Sequence, residues 1–218
     1  MFNLGGFKIK LSLNKLPHKG LSKIERYALL FLVILIIIGI IFWFKAWQEH
    51  TKLIPAYGGK YIEGTLGQPK YINPILCQTN DVDMDLSRLV FSSLFTYNKQ
   101  LKLVPELVEK YEISKNQKTY TLHLKHGVKW HDGEELDASD IIFTVQAIQN
   151  LEYKSPLYLS FRGIKVSKID PYTVKFTLDK PYSPFLSFLT FGILPSHIWN
   201  LIEPANASLC DLNLRPIG

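Results

Sequence analysis

The chain has 218 residues, 47% of them hydrophobic and 13% aromatic, enough for one core of ordinary domain size after a membrane segment is set aside, and far from a disordered composition. The formal charge of +6 does not indicate nucleic-acid binding. Lys8, Lys10, Lys15, Lys19, Lys23 and Arg26 lie together before one apolar run with only Glu25 against them, and the nearly balanced remainder has no basic stripe.

Residues 1–26 are polar and basic, carry Gly5, Gly6, Pro17 and Gly20, and show no lasting periodicity, so they are expected to form a cytoplasmic tail. Tyr27 to Phe44 carries no charge and is rich in Leu and Ile; as a helix it is about 27 Å long and spans the hydrocarbon layer with little tilt. Trp43 and Trp47 mark its far interface. Positive charges cluster before the span against a lone Lys45 just after it, which places the N-terminus inside and the rest of the chain outside. A cleaved signal peptide fits less well, because the apolar run exceeds the usual 7 to 15 residues and no A-x-A-like site follows closely. Residues 45–57 read as a linker. Cys77 and Cys210 fall in the outer part, where an oxidising compartment permits a disulfide, although two cysteines far apart in sequence do not establish one.

From residue 58 a single domain is expected to run to Gly218. Lys60 to Leu66 reads as a first strand, and Gly67, Pro69, Asn73 and Pro74 hold an extended, irregular loop after it. A helix is predicted from about Asp83 to Phe95, with Leu86, Leu89, Val90 and Leu94 on a core face and Asp81, Asp83 or Asp85 near its positive end. Leu103, Val104, Leu107, Val108 and Tyr111 recur at helical spacing, predicting a second short helix. The period then switches to 2, with Tyr120, Leu122 and Leu124 alternating against Thr119, Thr121, His123 and Lys125. A short strand over Val128 to Trp130 ends at His131-Asp132-Gly133, where Asp-Gly allows the positive φ of a tight turn. Asp137 fits a helix N-cap with Asp140 at N3, ahead of the apolar Ile141, Ile142, Val145 and Ile148.

Residues 150–160 form a loop with Tyr153 and Tyr158. A hairpin follows, Ile164, Val166 and Ile169 on one arm and Val174, Phe176 and Leu178 on the other, joined through Asp170-Pro171-Tyr172. Pro181 and Pro184 start a helix-like segment, Phe185 to Leu189, and Pro195 resets the chain.

Little of this is catalytic chemistry. His123, His126 and the His131-Asp132 pair sit on a strand, by a glycine and at a turn, without the spacing that presents two ligands on one helix face, so no metal is expected. Asp132, Glu134, Glu135, Asp137 and Asp140 could form an acid-base pair, but turn and cap duty is the favoured reading. No G-x-S-x-G, P-loop or Cys-His pair is present to activate a nucleophile or cradle phosphate, so neither an enzyme nor a cofactor is expected.

Leu103-Val104-Pro105-Glu106, Tyr111-Glu112-Ile113-Ser114, Thr119-Tyr120-Thr121 and Gly127 through Gly133 stand in an order that resembles the extracytoplasmic solute-binding proteins of peptide and nickel ABC importers. Asn73-Pro74, Asp140-Ile141-Ile142-Phe143-Thr144, Ile193 to Trp199 and Arg215-Pro216-Ile217-Gly218 extend the likeness over most of the domain. The resemblance implies an α/β fold, the N-terminal lobe of a two-lobed periplasmic-binding-protein fold of class II type, spanning residues 58–218 and truncated before its second lobe. It implies capture of a peptide or related small solute by closure, and delivery to permease subunits with their ATPase. On it, Gln78, Thr79, Asn80 and Asp81 resemble the segment that lies along a bound peptide, Asn73 precedes them, and Tyr71 and Tyr158 stand in loops where aromatic walls suit variable side chains. A single-span peptide or pheromone sensor with the same lobe is the alternative, and a zinc hydrolase the more distant one.

Overall fold

The computed structural model describes residues 22–50, 58–60 and 62–218. It divides into two compact units, Met1–Ile62 and Glu63–Gly218. In the first, helix α1 runs over Lys23–His50 and contains the whole expected span. It is long and apolar enough, from Lys23 to Trp47, to cross a membrane. Its apolar side chains are exposed, and Trp43 stacks on Trp47 with ring centroids 6.5 Å apart. Most of the basic tail, residues 1–21, and the linker residues 51–57 lie outside the described residues, as does Tyr61 of the expected first strand. The described residues around Tyr61, Lys60 and residues 62–66, are exposed and form no strand.

The second unit contains, in chain order, α2 (Asp81–Val90), β1 (Phe95–Tyr97), β2 (Leu103–Pro105), β3 (Val108–Ile113), β4 (Thr119–Leu124), α3 (Ala138–Gln149), α4 (Tyr158–Phe161), β5 (Lys165–Asp170), β6 (Thr173–Thr177), α5 (Phe185–Phe188) and α6 (Ser196–Trp199). β1 and β2 form a two-stranded ribbon, and the remaining strands make an antiparallel sheet in the order β3-β4-β6-β5. Central strand β4 alternates as its sequence requires: Tyr120, Leu122 and Leu124 are buried, with partly buried polar residues between them. α3 covers β5 and β6, and its Ile141, Val145 and Ile148 are fully buried. Each such side chain contributes about 1.5–3 kcal/mol relative to exposure. Phe161, Phe176, Phe185 and Leu189 complete the core.

Three further expectations are corrected. The helix predicted over Leu103 to Tyr111 is instead β2 and β3: Leu103 pairs with Tyr97 and Val104 with Thr96, while Tyr111 pairs with Leu122 and Ile113 with Tyr120. Local helical spacing loses there to ladder pairing, which β-branched and aromatic residues favour and which tolerates Pro105 on a ribbon edge. Val128 to Trp130 forms one bridge, Lys129 with Glu135, rather than a strand. The turn beside it is as expected, with Gly133 at φ 96°. α2 begins at Asp81 and ends at Val90, where Phe91 turns extended. Its buried face is Val82, Asp83 and Ser87, whereas Leu89 is 84% exposed. The Asp83 carboxylate sets that rotation, because it accepts hydrogen bonds from the backbone N–H groups of Lys70 (2.7 Å) and Tyr71 (3.0 Å).

The start of α3 forms as read. Asp137 accepts from Ser139 N at 2.7 Å, and Asp140 accepts from Asp137 N at 3.0 Å, a reciprocal capping box. Lys168 Nζ adds a 2.8 Å contact from β5. Burial pushes the Asp137 carboxyl up, but the hydrogen bonds from Lys168 and Ser139 outweigh it and hold the group below the ordinary carboxylate range. A depressed folded pKa means that the stabilisation is present above the unfolded pKa and is lost as pH falls through the folded one. Asp137→Ala is therefore expected to lower stability by about 1 kcal/mol at pH 7, with the difference shrinking on acidification below about pH 4. Thermal unfolding at both pH values is the measurement, and equal melting temperatures at pH 7 would overturn this role.

Candidate functional site

Asn73 organises the site although it is fully buried. Its Oδ1 accepts from Ile75 N (3.1 Å) and its carbonyl accepts from Leu76 N (3.0 Å) and Cys77 N (2.9 Å), turning the chain into a single 3₁₀ turn over Cys77–Thr79. Its Nδ2 donates to Asn213 Oδ1 at 3.1 Å, and Asn213 Nδ2 donates to Ala207 O at 2.7 Å. The turn is thus tied to a segment 140 residues further along. Asn80 then caps α2, its Oδ1 accepting from Val82 N at 3.1 Å, and its Nδ2 donates to Gln68 O at 3.2 Å.

Beside this turn lies a cavity of about 540 Å³ bordered by α2, β1 and the chain between Ser187 and Gly192. Met84, Phe91 and Phe188 supply apolar wall, and Gln78 and Glu106 polar groups. The Glu106 carboxylate accepts from Ser93 N at 2.9 Å and from Ser93 Oγ at 2.6 Å, which fixes it across the start of β1. The wall is drawn tight at Gly192, where an added Cβ would lie 2.6 Å from the Phe91 Cβ. A cavity with apolar sides and a few fixed polar groups suits a small organic solute.

Of the seven residues singled out from sequence, Gln78 borders this cavity, with Nε2 3.4 Å from Pro74 O. Thr79 and Asp81 are exposed next to it, and Asn80 is partly buried at the cap. Tyr71 is partly buried, with Lys70 Nζ 5.1 Å from its ring centroid. Tyr158 opens α4 and is not among the residues bordering the cavity. Sequence reasoning missed Met84, Phe91, Tyr97, Glu106 and Phe188, which four separate segments bring together. A second cavity, of about 580 Å³, lies between α4 and α5, with Arg162 and Lys180 at its border.

The acidic cluster holds turns and caps. Asp132 lies 2.7 Å from His197 Nε2, and the hydrogen bond to His197 holds its carboxyl below the usual range. Glu135 is held low by a hydrogen bond from the Tyr172 hydroxyl, and Tyr172 is raised in turn. His123 Nδ1 lies 3.1 Å from Thr173 Oγ1, and the His126 ring lies against Tyr172 with centroids 3.9 Å apart and the ring planes tilted by 43°. Among the described residues no three His, Cys, Asp or Glu side chains converge as metal ligands do. Cys77 and Cys210 are both free thiols, and burial raises the pKa of Cys77.

Residues 102–217 match the profile of the bacterial extracellular solute-binding proteins, family 5 Middle. The chain is 34% identical to the dipeptide-binding protein of Escherichia coli (strain K12), an alignment covering 70% of this chain and 32% of that protein. Among solved structures, NikZ from Campylobacter jejuni in complex with Ni(L-His) superposes with a TM-score of 0.63 at 35% identity, covering 70% of this chain and 30% of that one. The oligopeptide-binding protein AppA of Bacillus subtilis, in complex with a nonapeptide, superposes at 0.66 and 28% identity, covering 71% and 31%. The chain therefore spans about a third of the length of the curated relatives it matches (32% and 31%). The expected fold class holds: the second unit is a mixed α/β portion of the two-lobed periplasmic-binding-protein fold. With a match over residues 102–217 of 218, the chain belongs to the bacterial extracellular solute-binding proteins of family 5.

Proposed function

We propose that the chain is a membrane-anchored, extracytoplasmic substrate-binding component of an ABC importer, which takes peptides or a related small solute and hands them to permease subunits. The observation that carries this reading is the cavity beside the 3₁₀ turn, with Gln78 on its border and an apolar wall from Met84, Phe91 and Phe188, in a chain of this family. Relatives named for dipeptides and oligopeptides support a peptide as the solute. Gln78, Thr79, Asn80 and Asp81 run along the bound solute, Tyr71 and Tyr158, which do not border the cavity, supply aromatic surface where the solute extends beyond it, and Asn73 acts by holding the turn. The apolar helix α1, with its positive charges before the span, anchors the protein with the N-terminus in the cytoplasm and the binding unit outside. Capture proceeds by hinge closure around the solute, the closed form being the one the permease recognises.

The test uses a membrane-impermeant peptide library carrying a diazirine, photolysed with intact spheroplasts that express the full chain. Labels are expected on the border of the cavity, at Gln78, Met84 and Phe188, without lysis. Labelling only after lysis would overturn the topology, and labels scattered without preference would overturn the peptide site.

A further inference from the structure

We infer that one end of the four-stranded sheet is a docking surface for anionic phospholipid headgroups of the membrane that α1 spans, an inference that rests on the membrane-anchored reading above. Ladder register brings three separate segments together there. Thr119 pairs with Thr177 and Thr177 with Lys165, and Leu178 N donates to Lys118 O at 2.8 Å. Neighbouring strands lie about 4.8 Å apart, so the turn before β4, the residues after β6 and the entry to β5 share one end of the unit. These segments carry Lys115 and Lys118, Lys180, and Arg162 and Lys165 respectively. Lys118 is partly buried, the other four are exposed, and Asp179 is the one carboxylate in the three segments.

The rest of the unit has the opposite sign. Residues 63–218 hold 16 Lys and Arg against 17 Asp and Glu; five of those cations and one of those carboxylates stand at this end, which leaves 11 against 16 elsewhere. No basic stripe shows in the sequence because the five come from three segments that only the sheet joins. None of them forms an ion pair with a described residue, whereas Lys168, further along β5, is held by Asp137 at 2.8 Å. A cluster of one sign on a unit otherwise of the other orients that unit toward a negatively charged surface.

Charge alone would serve any acidic partner, but apolar groups stand among these cations. The second cavity opens here with Arg162 and Lys180 on its border, and its floor includes the buried Leu178 and Phe185. At its border Leu159 is 78% exposed and Tyr182 44%, the latter with its carbonyl held by the Tyr120 hydroxyl at 3.2 Å. An exposed leucine, a tyrosine and long-stemmed cations are the side chains that enter a bilayer interface, apolar bodies toward the acyl chains and polar tips among the headgroups. The tether commits the surface to this membrane. The 22 residues between Trp47 and Lys70, whose N–H is fixed by Asp83, reach at most about 75 Å when fully extended, so weak contacts act at a high local concentration of lipid. Phe188 borders both cavities, so docking at this end also keeps the solute cavity close to the bilayer.

The experiment places the full chain, with methyl-labelled leucine, in nanodiscs of phosphatidylcholine and in discs that also contain about 30% phosphatidylglycerol, both doped with a lipid whose headgroup carries a gadolinium chelate. Both faces of a disc hold the same lipid, so the result does not depend on which side the unit occupies. In the anionic discs the Leu159 methyl signals are expected to relax at least about threefold faster than those of Leu89 and Leu201, which are 84% and 85% exposed and which docking leaves in water. Raising the salt to about 0.5 M, or replacing Arg162→Gln together with Lys180→Gln, is expected to lower the docked-to-free ratio about tenfold. An unchanged melting temperature shows that the double variant keeps its fold. Equal relaxation at the three leucines in anionic discs, or a Leu159 effect that is as large in phosphatidylcholine or survives salt, would overturn the docking surface and leave the anchor standing. An effect that grows with the number of chains per disc rather than with phosphatidylglycerol would give the surface to a second copy and likewise overturn it. If alkaline carbonate strips the chain from the discs, the anchored reading itself falls and the docking surface with it.

Discussion

Replacing Asp140 by alanine is expected to lower the stability of the protein by about 3–4 kcal/mol. The side chain is 3% exposed and accepts three hydrogen bonds from separate pieces of chain: Asp137 N at 3.0 Å, Trp130 Nε1 at 3.3 Å and Ser196 N at 2.8 Å. Removing it strands three donors at once, each at a cost of about 1–3 kcal/mol, with the lower part of that range applying because Asp137 and Ser196 are only partly buried. One helical turn later on the same face, Thr144 Oγ1 accepts from Leu194 N at 3.0 Å. α3 is therefore stitched to residues 194–196 at two points, and these follow directly on Phe191 and Gly192 at the back of the cavity. The loss is expected to reach the site: in Asp140→Ala, amide hydrogens near Gly192 should exchange faster than in the native protein. Asp140→Asn keeps one acceptor but turns an NH₂ toward a donor, and should fall between the two. Thermal and urea unfolding of the full chain in detergent decide the matter. A destabilisation under about 1 kcal/mol would mean that water replaces the carboxylate at all three donors.

How much of this could be seen in the residues differs from element to element. The alternation of Tyr120, Leu122 and Leu124 is recovered as central strand β4, because a strand with one face on the core leaves its period in the sequence. The hairpin through Asp170-Pro171-Tyr172 and the cap at Asp137 were equally legible, since both depend on residues only a few positions apart. Leu103 to Ile113 was not: its apolar residues fall at helical spacing by coincidence, and what makes them strands is pairing with Phe95–Tyr97 and Thr119–Leu124. Leu89 fitted a core face, yet the rotation of α2 is set by Asp83 reaching back to residues 70 and 71, a tertiary contact without a local pattern. The candidate site divides in the same way. Gln78 follows from its place after Asn73-Pro74, whereas Phe91, Tyr97, Glu106 and Phe188 share a cavity only once the β1 ribbon and residues 187–192 have closed on each other.

Asn73 sharpens that division, because the sequence offers it as a solute-binding residue whereas its hydrogen bonds make it part of the frame. Asn73→Ala is expected to destabilise the protein by about 3 kcal/mol, which for a unit of this size lowers the melting temperature by about 6–12 °C. The side chain is fully buried; its loss leaves Ile75 N without the Oδ1 acceptor that shapes the turn before Cys77–Thr79, and leaves Asn213 Oδ1 without its Nδ2 donor. Asn213 itself is 2% exposed, so water cannot replace the lost donor without opening the contact between residues 73 and 213. Asn73→Asp separates the two bonds: it keeps an acceptor for Ile75 N but places a buried carboxylate against the Asn213 carbonyl oxygen, and is expected to be at least as destabilising as alanine. In both variants the Leu76 and Cys77 amides, which donate to the Asn73 carbonyl, should lose protection from exchange ahead of the core strands. A side chain that mainly touched solute would give the opposite pattern, weaker binding at an unchanged melting temperature, and that outcome would move Asn73 from the frame of the site to its surface.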